Sequence, residues 1–166
     1  MTLLILALTT SSGQVWSSPV DFKAQSIRIA MLQEPPSLDS SKATDLVSFF
    51  VLGHTTEGLL RYDRRGRLVA GVAESWEVTP TTLTFKLRPE ARWHNGSKVT
   101  AADFIYAWQN VNDPAVASPF AAIMHPIKNA TAIQNGELPV EALGVSSPSK
   151  GTLVVELERP CGYCLG

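Results

Sequence analysis

Three stretches of the chain alternate between apolar and polar side chains, the pattern typical of a half-buried β-strand. They cover Ile27–Met31, Leu83–Leu87 and Thr152–Glu158. Because successive side chains of a strand point to opposite faces, each stretch is predicted to place one apolar face on a core. The pair Pro35–Pro36 ends the first strand, since neither proline can donate a hydrogen bond to a neighbouring strand.

A helical spacing of apolar residues follows Thr100. Asp103 lies three residues on, so the two residues form the capping box of a helix start. Four apolar residues then fall on one helical face: Phe104, Ile105, Trp108 and Val111. Just before this helix, Asn95–Gly96 predicts a tight turn, because both residues tolerate a positive φ.

Shorter helices are predicted elsewhere. The apolar residues of Asp45–Leu52 cover a wide face, which favours a core helix that ends near Gly53 or Gly58 over an exposed partner-binding helix. Ser118 and Pro119 are predicted as the N-cap and first residue of a helix over residues 120–124. Asn129 is predicted to cap a further short helix that closes at Gly136.

Together these elements predict an α+β domain from about Glu57 onward. Its core is expected to contain five large aromatic residues: Trp76, Phe85, Trp93, Phe104 and Trp108. A length of 166 residues, with 45% apolar and 17% charged residues, is ordinary for a globular chain.

The charge balance excludes some partners. A net charge of −1 gives no electrostatic reason to expect nucleic acid or an anionic membrane surface. Four arginines do cluster at residues 61–67, but Asp63 lies among them and Gly66 indicates a hairpin turn. A solvated turn is therefore favoured over a phosphate site.

The first 17 residues are predicted to be a secretory signal peptide. Leu3–Leu8 is apolar but far shorter than the ~20 residues of a membrane-spanning helix, so the chain is not expected to span a membrane. Val15 and Ser17 fit the small residues before a cleavage site. No lysine or arginine precedes Lys23, so the start of the signal is expected to be incomplete. A disordered apolar tail is the alternative.

Cys161 and Cys164 form the only motif of a catalytic type. In a dithiol enzyme a helix N-terminus stabilises the first thiolate, and here only Leu165 and Gly166 follow. An incidental pair, either free or bridged in an oxidising compartment, is therefore favoured over redox catalysis. His54, His94 and His125 stand in no metal-binding motif. Nucleotide and hydrolase motifs are absent from the sequence, so no enzyme activity, metal or cofactor is expected.

Several motifs occur together in a fixed order. The runs A-E-S-W-E-V, L-T-F-K-L-R, A-R-W-H-N-G and V-T-A-A-D-F lie between Ala73 and Phe104. Further fragments follow at Asp113–Pro114, Ala117–Phe120, Asn129–Ala130 and Leu143–Val145. In this order and spacing they resemble the family 5 periplasmic solute-binding proteins of peptide ABC transporters, in particular the oligopeptide and murein-peptide branch.

The resemblance implies the N-terminal portion of a class II periplasmic binding protein-like fold. By position, residues 18–56 correspond to the first segment of lobe I and residues 57–166 to most of the smaller α+β domain. The second lobe of the family has no counterpart in this sequence, so a fragment or a truncated product is expected. The groups that hold the charged amino end of the peptide belong, in the family, to that second lobe.

The resemblance also implies a function and a site. An extended oligopeptide would bind in the periplasm and pass to an inner-membrane ABC permease complex. The segment that pairs with the peptide falls on Thr44, Asp45 and Leu46, and the aromatic residue that reaches the peptide falls on Phe120. A plain helix-entry loop and an ordinary core aromatic are the alternatives for these positions. For the whole chain, the alternatives are a secreted dithiol redox protein and an inactive structural remnant.

Overall fold

The computed structural model describes residues 19–162 and Cys164, and the chain divides into two compact units between Gln33 and Glu34. In the first unit, β1 (Val20–Asp21) pairs antiparallel with β2 (Ser26–Ile27). The strand predicted over Ile27–Met31 is thus wrong beyond Ile27. Ile27, Ile29 and Met31 are all exposed, so the alternating pattern does not mark a buried face here.

The second unit is built on a four-stranded antiparallel sheet. Its strands are β5 (Ala73–Val78), β6 (Thr82–Leu87), β7 (Val145–Ser149) and β8 (Thr152–Glu156), in the order β5-β6-β8-β7. The predicted strands Leu83–Leu87 and Thr152–Glu158 are confirmed, although the latter ends at Glu156. Phe85 lies opposite Trp76 on one side and Leu153 on the other, so β6 is central in the sheet.

The helix predicted after Thr100 is confirmed as α2 (Ala101–Asn112) with its capping box. The Thr100 backbone N–H donates to the Asp103 carboxylate at 2.7 Å. The Asn95–Gly96 turn before it is confirmed too, with Gly96 at φ 85° and the Ser97 N–H donating to the Asn95 side chain. None of the helices within residues 19–162 is long and apolar enough to cross a bilayer.

Three short helical segments follow α2. Ala121–Met124 is a 3₁₀ helix, α3 covers Ala130–Gln134, and Val140–Ala142 is a second 3₁₀ turn. The predicted ends of α3 are confirmed: Asn129 is its N-cap in the left-handed conformation, and Gly136 follows its last turn at φ 76°. Ser118 was wrongly predicted as the helix cap, since the 3₁₀ helix begins after Phe120, which is its N-cap.

The apolar core lies on one face of the sheet, against α2 and the short helices. Phe85 is buried as predicted, and Trp76, Phe104 and Trp108 pack against the core with part of each side chain exposed. Trp93 is a wrong core prediction because its side chain is 46% exposed. It stands in the turn before α2, where the Trp93 N–H donates to the Ser97 carbonyl, so the backbone rather than the indole fixes its place.

The helix predicted near Asp45 is α1 (Leu46–Thr55), but it is not a core helix. Ser48 is its one buried residue, and Leu46, Phe49 and Phe50 are all exposed. No α1 residue belongs to the main apolar cluster of the described chain. The wide apolar face of α1 therefore did not predict burial, because no described element of the second unit covers that face.

An antiparallel hairpin joins β3 (Leu60–Tyr62) to β4 (Leu68–Ala70) and confirms the turn predicted around Gly66, which has φ 71°. Its base is tied to the start of β5, because the Gly71 N–H donates to the Leu59 carbonyl and the Val72 N–H to the Gly58 carbonyl. A side chain at Gly71 would meet the Gly58 carbonyl oxygen at 2.5 Å, so only glycine fits this close approach.

Candidate functional site

The predicted peptide-pairing segment, Thr44 to Leu46, forms the entry to α1. Asp45 is the N-cap, and its carboxylate accepts a hydrogen bond from the Ser48 N–H at 2.9 Å. Hydrogen bonding from Ser48 holds the pKa of the Asp45 carboxyl below its usual value. Thr44 is exposed, and Leu46 is 85% exposed, so the residues on both sides of the cap face solvent.

A tight turn in front of this segment is organised by Asp39. Its carboxylate accepts hydrogen bonds from the Ser41 hydroxyl at 2.6 Å and from the Ser41 N–H at 2.9 Å. These bonds lower the pKa of the Asp39 carboxyl. The Asp39 carbonyl also accepts from the N–H groups of Lys42 and Ala43. The chain therefore enters α1 from a fixed direction.

Phe120 stands beside the same region. The buried Ser118 hydroxyl donates to the Ser41 carbonyl at 2.6 Å, a contact between residues 77 positions apart, and it accepts from the Phe120 N–H at 3.2 Å. The half-buried Phe120 ring faces the Phe49 ring on α1, with centroids 6.2 Å apart and planes inclined by 55°. This separation is typical of a favourable aromatic pair.

Two contacts, Ser118 with Ser41 and Phe120 with Phe49, connect the Phe120 region with the segments on either side of Thr44–Leu46. Neither contact involves Thr44, Asp45 or Leu46 directly. The arrangement can offer exposed backbone at a helix entry together with apolar ring surface, which suits an extended, partly apolar ligand. Sequence reasoning missed Phe49 as the partner of Phe120. The only available signal was the wide apolar face of α1, and it was interpreted as core.

The cysteines and two of the histidines that were considered as catalytic or metal-binding residues make their contacts with other groups. Cys161 and Cys164 are joined in a disulfide, with Cα atoms 5.6 Å apart. The Nδ1 atom of His54 lies 2.6 Å from the Phe50 carbonyl oxygen, and the Nε2 atom of His125 lies 2.8 Å from the Gln134 side-chain oxygen. Residues 19–162 and Cys164 contain no group of three or more potential metal ligands.

A cavity of about 510 Å³ opens beside the sheet and α2. Its wall is apolar and includes Leu59, Phe85, Trp108, Met124 and Cys164. A small-molecule site needs a few polar groups to orient its ligand. None of the described residues that line this cavity is charged, so it is a weaker candidate than the α1 entry.

The comparisons with known proteins specify the family to which this chain belongs. Residues 67–165 match the family described as bacterial extracellular solute-binding proteins, family 5 Middle. This match covers more than half of the chain, which therefore belongs to that family. The named relatives are binding proteins and not enzymes, which agrees with the prediction that this chain is not an enzyme.

Three similar proteins illustrate the relationship. The periplasmic murein peptide-binding protein MppA of Escherichia coli is 37% identical over 162 residues, which is 95% of this chain. The substrate-binding domain of an oligopeptide ABC transporter from Bacillus anthracis is 46% identical, with a TM-score of 0.77 over 80% of this chain. Haemophilus influenzae OppA, solved in complex with RPPGFSPFR, is 39% identical, with a TM-score of 0.74 over 79% of this chain.

The present chain spans only part of these proteins. It covers 30% of the E. coli relative and 26% of each of the two solved chains. The match confirms the predicted family and its oligopeptide and murein-peptide branch. The mixed α+β fold corresponds to part of the solved periplasmic binding proteins.

Proposed function

We propose that this chain is the N-terminal part of the substrate-binding component of an ABC-type peptide importer. It acts in the periplasm, binds extended oligopeptides and delivers them to an inner-membrane permease complex. Relatives named as periplasmic murein-peptide-binding and oligopeptide-binding proteins support this function. A dithiol redox protein gains no support from a family of binding proteins.

The juxtaposition of the α1 entry with Phe120 carries the proposal. Thr44, Asp45 and Leu46 would pair with the main chain of the peptide, and Phe120 would contact one of its side chains. An extended peptide gains affinity from main-chain hydrogen bonds, and pockets for alternate side chains set its specificity. The exposed Thr44 and the Phe49–Phe120 ring pair provide both kinds of contact on one side of such a peptide.

The proposed domain plan follows the class II periplasmic binding protein-like fold. Residues 1–17 form the signal peptide and lie outside the described residues, 18–56 form the first segment of lobe I, and 57–166 form the smaller domain. Two observations support a boundary near residue 56, although the compact units divide earlier, between Gln33 and Glu34: α1 ends at Thr55, and the residues packed on the main apolar cluster begin at Leu59.

Chemical-shift mapping tests the proposal on the chain itself. An ¹⁵N-labelled sample would be titrated with a pool of tri- to pentapeptides at millimolar concentration. We expect the largest shifts at the amides of Thr44, Asp45, Leu46 and Phe120. Phe120→Ala should remove them, because the ring that contacts the peptide is lost.

Tyr106→Ala provides the matched control. Tyr106 is an aromatic residue of α2 with 72% of its side chain exposed, and it plays no part in the proposed site. Its replacement should leave the peptide-induced shifts unchanged. Shifts scattered over the sheet, or the same shifts in Phe120→Ala, would show that peptides do not bind at the α1 entry.

A further inference from the structure

The tip of the β3–β4 hairpin concentrates positive charge. Residues 61–67 contain four arginines and one aspartate, a local charge of +3, whereas the whole chain carries −1. The rest of the chain is therefore net negative. The overall charge predicts no attraction to an anionic surface, but the distribution of charge makes the tip of this hairpin strongly basic.

The Asp63 carboxylate bonds to groups within the turn, so it neutralises only one of the four arginine charges. Its carboxylate accepts from the backbone N–H groups of Arg65 at 2.8 Å and Arg67 at 2.9 Å, and it forms a salt bridge with the Arg67 guanidinium at 2.7 Å. The side chains of Arg61, Arg64 and Arg65 are exposed and form no hydrogen bond or salt bridge with any described residue.

The backbone that carries these arginine side chains is held in place at both ends of the hairpin. Leu59 and Leu60 pack against the main apolar cluster, and Leu60 pairs with Ala70 at the open end of the hairpin. The turn itself is closed by the Gly66 N–H donating to the Asp63 carbonyl at 3.0 Å. A surface that is already ordered loses less conformational freedom when it binds, so this tip is preorganised for contact.

We propose that this basic tip, residues 61–67, is a docking surface for an anionic phospholipid bilayer. Guanidinium groups match phosphate geometry with paired donors, which makes arginine well suited to lipid headgroups. Tyr62 is 58% exposed within the tip, and tyrosine is favoured where an apolar ring meets a polar interface. A protein partner would require a buried apolar centre, and the tip offers none beyond this ring.

Vesicle flotation with the purified 166-residue chain tests the proposal. Vesicles of phosphatidylcholine alone would be compared with vesicles that also contain phosphatidylglycerol, at low and high salt. Each basic residue near an anionic surface contributes about fivefold in binding, so Arg64→Ser/Arg65→Ser should weaken binding to the anionic vesicles by about 25-fold. High salt should weaken wild-type binding in the same way, because it screens exposed charges.

Lys98→Ser/Lys150→Ser is the matched control, since it removes the same charge from exposed positions elsewhere. It should retain most of the binding to anionic vesicles. The apolar segment Leu3–Leu8 is present in every variant, so it cannot produce a difference between them. Equal binding to both vesicle types, or an equal loss in the lysine control, would overturn the proposal. Arginine-dependent binding to polyglutamate without vesicle binding would also overturn it and indicate an acidic protein partner.

Discussion

The Ser118 hydroxyl supports the candidate site, and its removal is a direct test of how the site is held. The hydroxyl donates to the Ser41 carbonyl and accepts from the Phe120 N–H, and Ser118 is only 8% exposed. In Ser118→Ala both partners lose their hydrogen bond. At about 0.5–1.5 kcal/mol for each bond, the free energy of unfolding of the segment should fall by about 1–3 kcal/mol.

The loss of stability should affect the unfolding of α1 more than the unfolding of the whole second unit, because no residue of α1 lies in the main apolar cluster. Hydrogen exchange of the Ser48 and Phe49 amides reports the first turn of α1, since both donate to Asp45. In Ser118→Ala these amides should exchange about 5- to 150-fold faster, the equivalent of that free energy, and the urea midpoint should change much less.

Ser147→Ala is the matched control. The Ser147 hydroxyl also makes a 2.6 Å hydrogen bond to a carbonyl, that of Ser149, but the contact is exposed and local. Its loss should leave the exchange of the α1 amides unchanged. If Ser118→Ala leaves the Ser48 and Phe49 amides as protected as in the wild type, the Ser118–Ser41 contact does not hold the two segments together.

Three further predictions follow from the described contacts. Leu153→Ala should lower the free energy of unfolding by about 2–5 kcal/mol in urea titrations, since Leu153 is fully buried in β8, and a loss under about 1 kcal/mol would contradict its place in the core. The pKa values of Asp39 and Asp45 are lowered by their hydrogen bonds, so the contribution of these bonds to stability should be complete above about pH 4 and be lost as the pH drops through the lowered pKa values. Melting temperatures from pH 2 to 7 that do not fall in acid would refute this. Calorimetry of this chain with mixed peptides should give no measurable heat, because fixing each peptide residue costs about 1–2 kcal/mol and the proposed site contacts the peptide on one side only. Micromolar binding would refute a site shared between two lobes.

Local signals in the sequence predicted the elements that depend on neighbouring residues. The Thr100–Asp103 capping box, the turn at Gly96 and the alternation of Leu83–Leu87 each act over a few positions, and each is confirmed. The order of the strands could not be derived in this way. Phe85 pairs with Leu153 across a long intervening segment, and no period within either strand specifies that partner.

Burial was predicted less well than secondary structure, because an apolar pattern identifies a face without saying what covers it. Ile29 and Met31 alternate as the residues of a strand would, yet both are exposed. Trp93 is apolar and close to a helix start, but backbone hydrogen bonds of the turn hold it at the surface. In the candidate site, the resemblance supplied Phe120, and only the structure supplied its contact with Phe49.

The apolar face of α1, which the sequence pattern predicted to be buried, is exposed, and the candidate site offers a physical reason for this exposure. Places where sequence-level rules fail in a folded protein are often functional, because a binding surface must leave apolar groups uncovered. Polar contacts from Asp45 and Ser118 hold the α1 entry, and these leave the Leu46 and Phe49 side chains largely exposed. A helix that buried those side chains would be more stable but would present no ring surface to a ligand. Hydrogen bonds would therefore fix the position of the α1 entry and still leave apolar ring surface free for the proposed contact with a ligand.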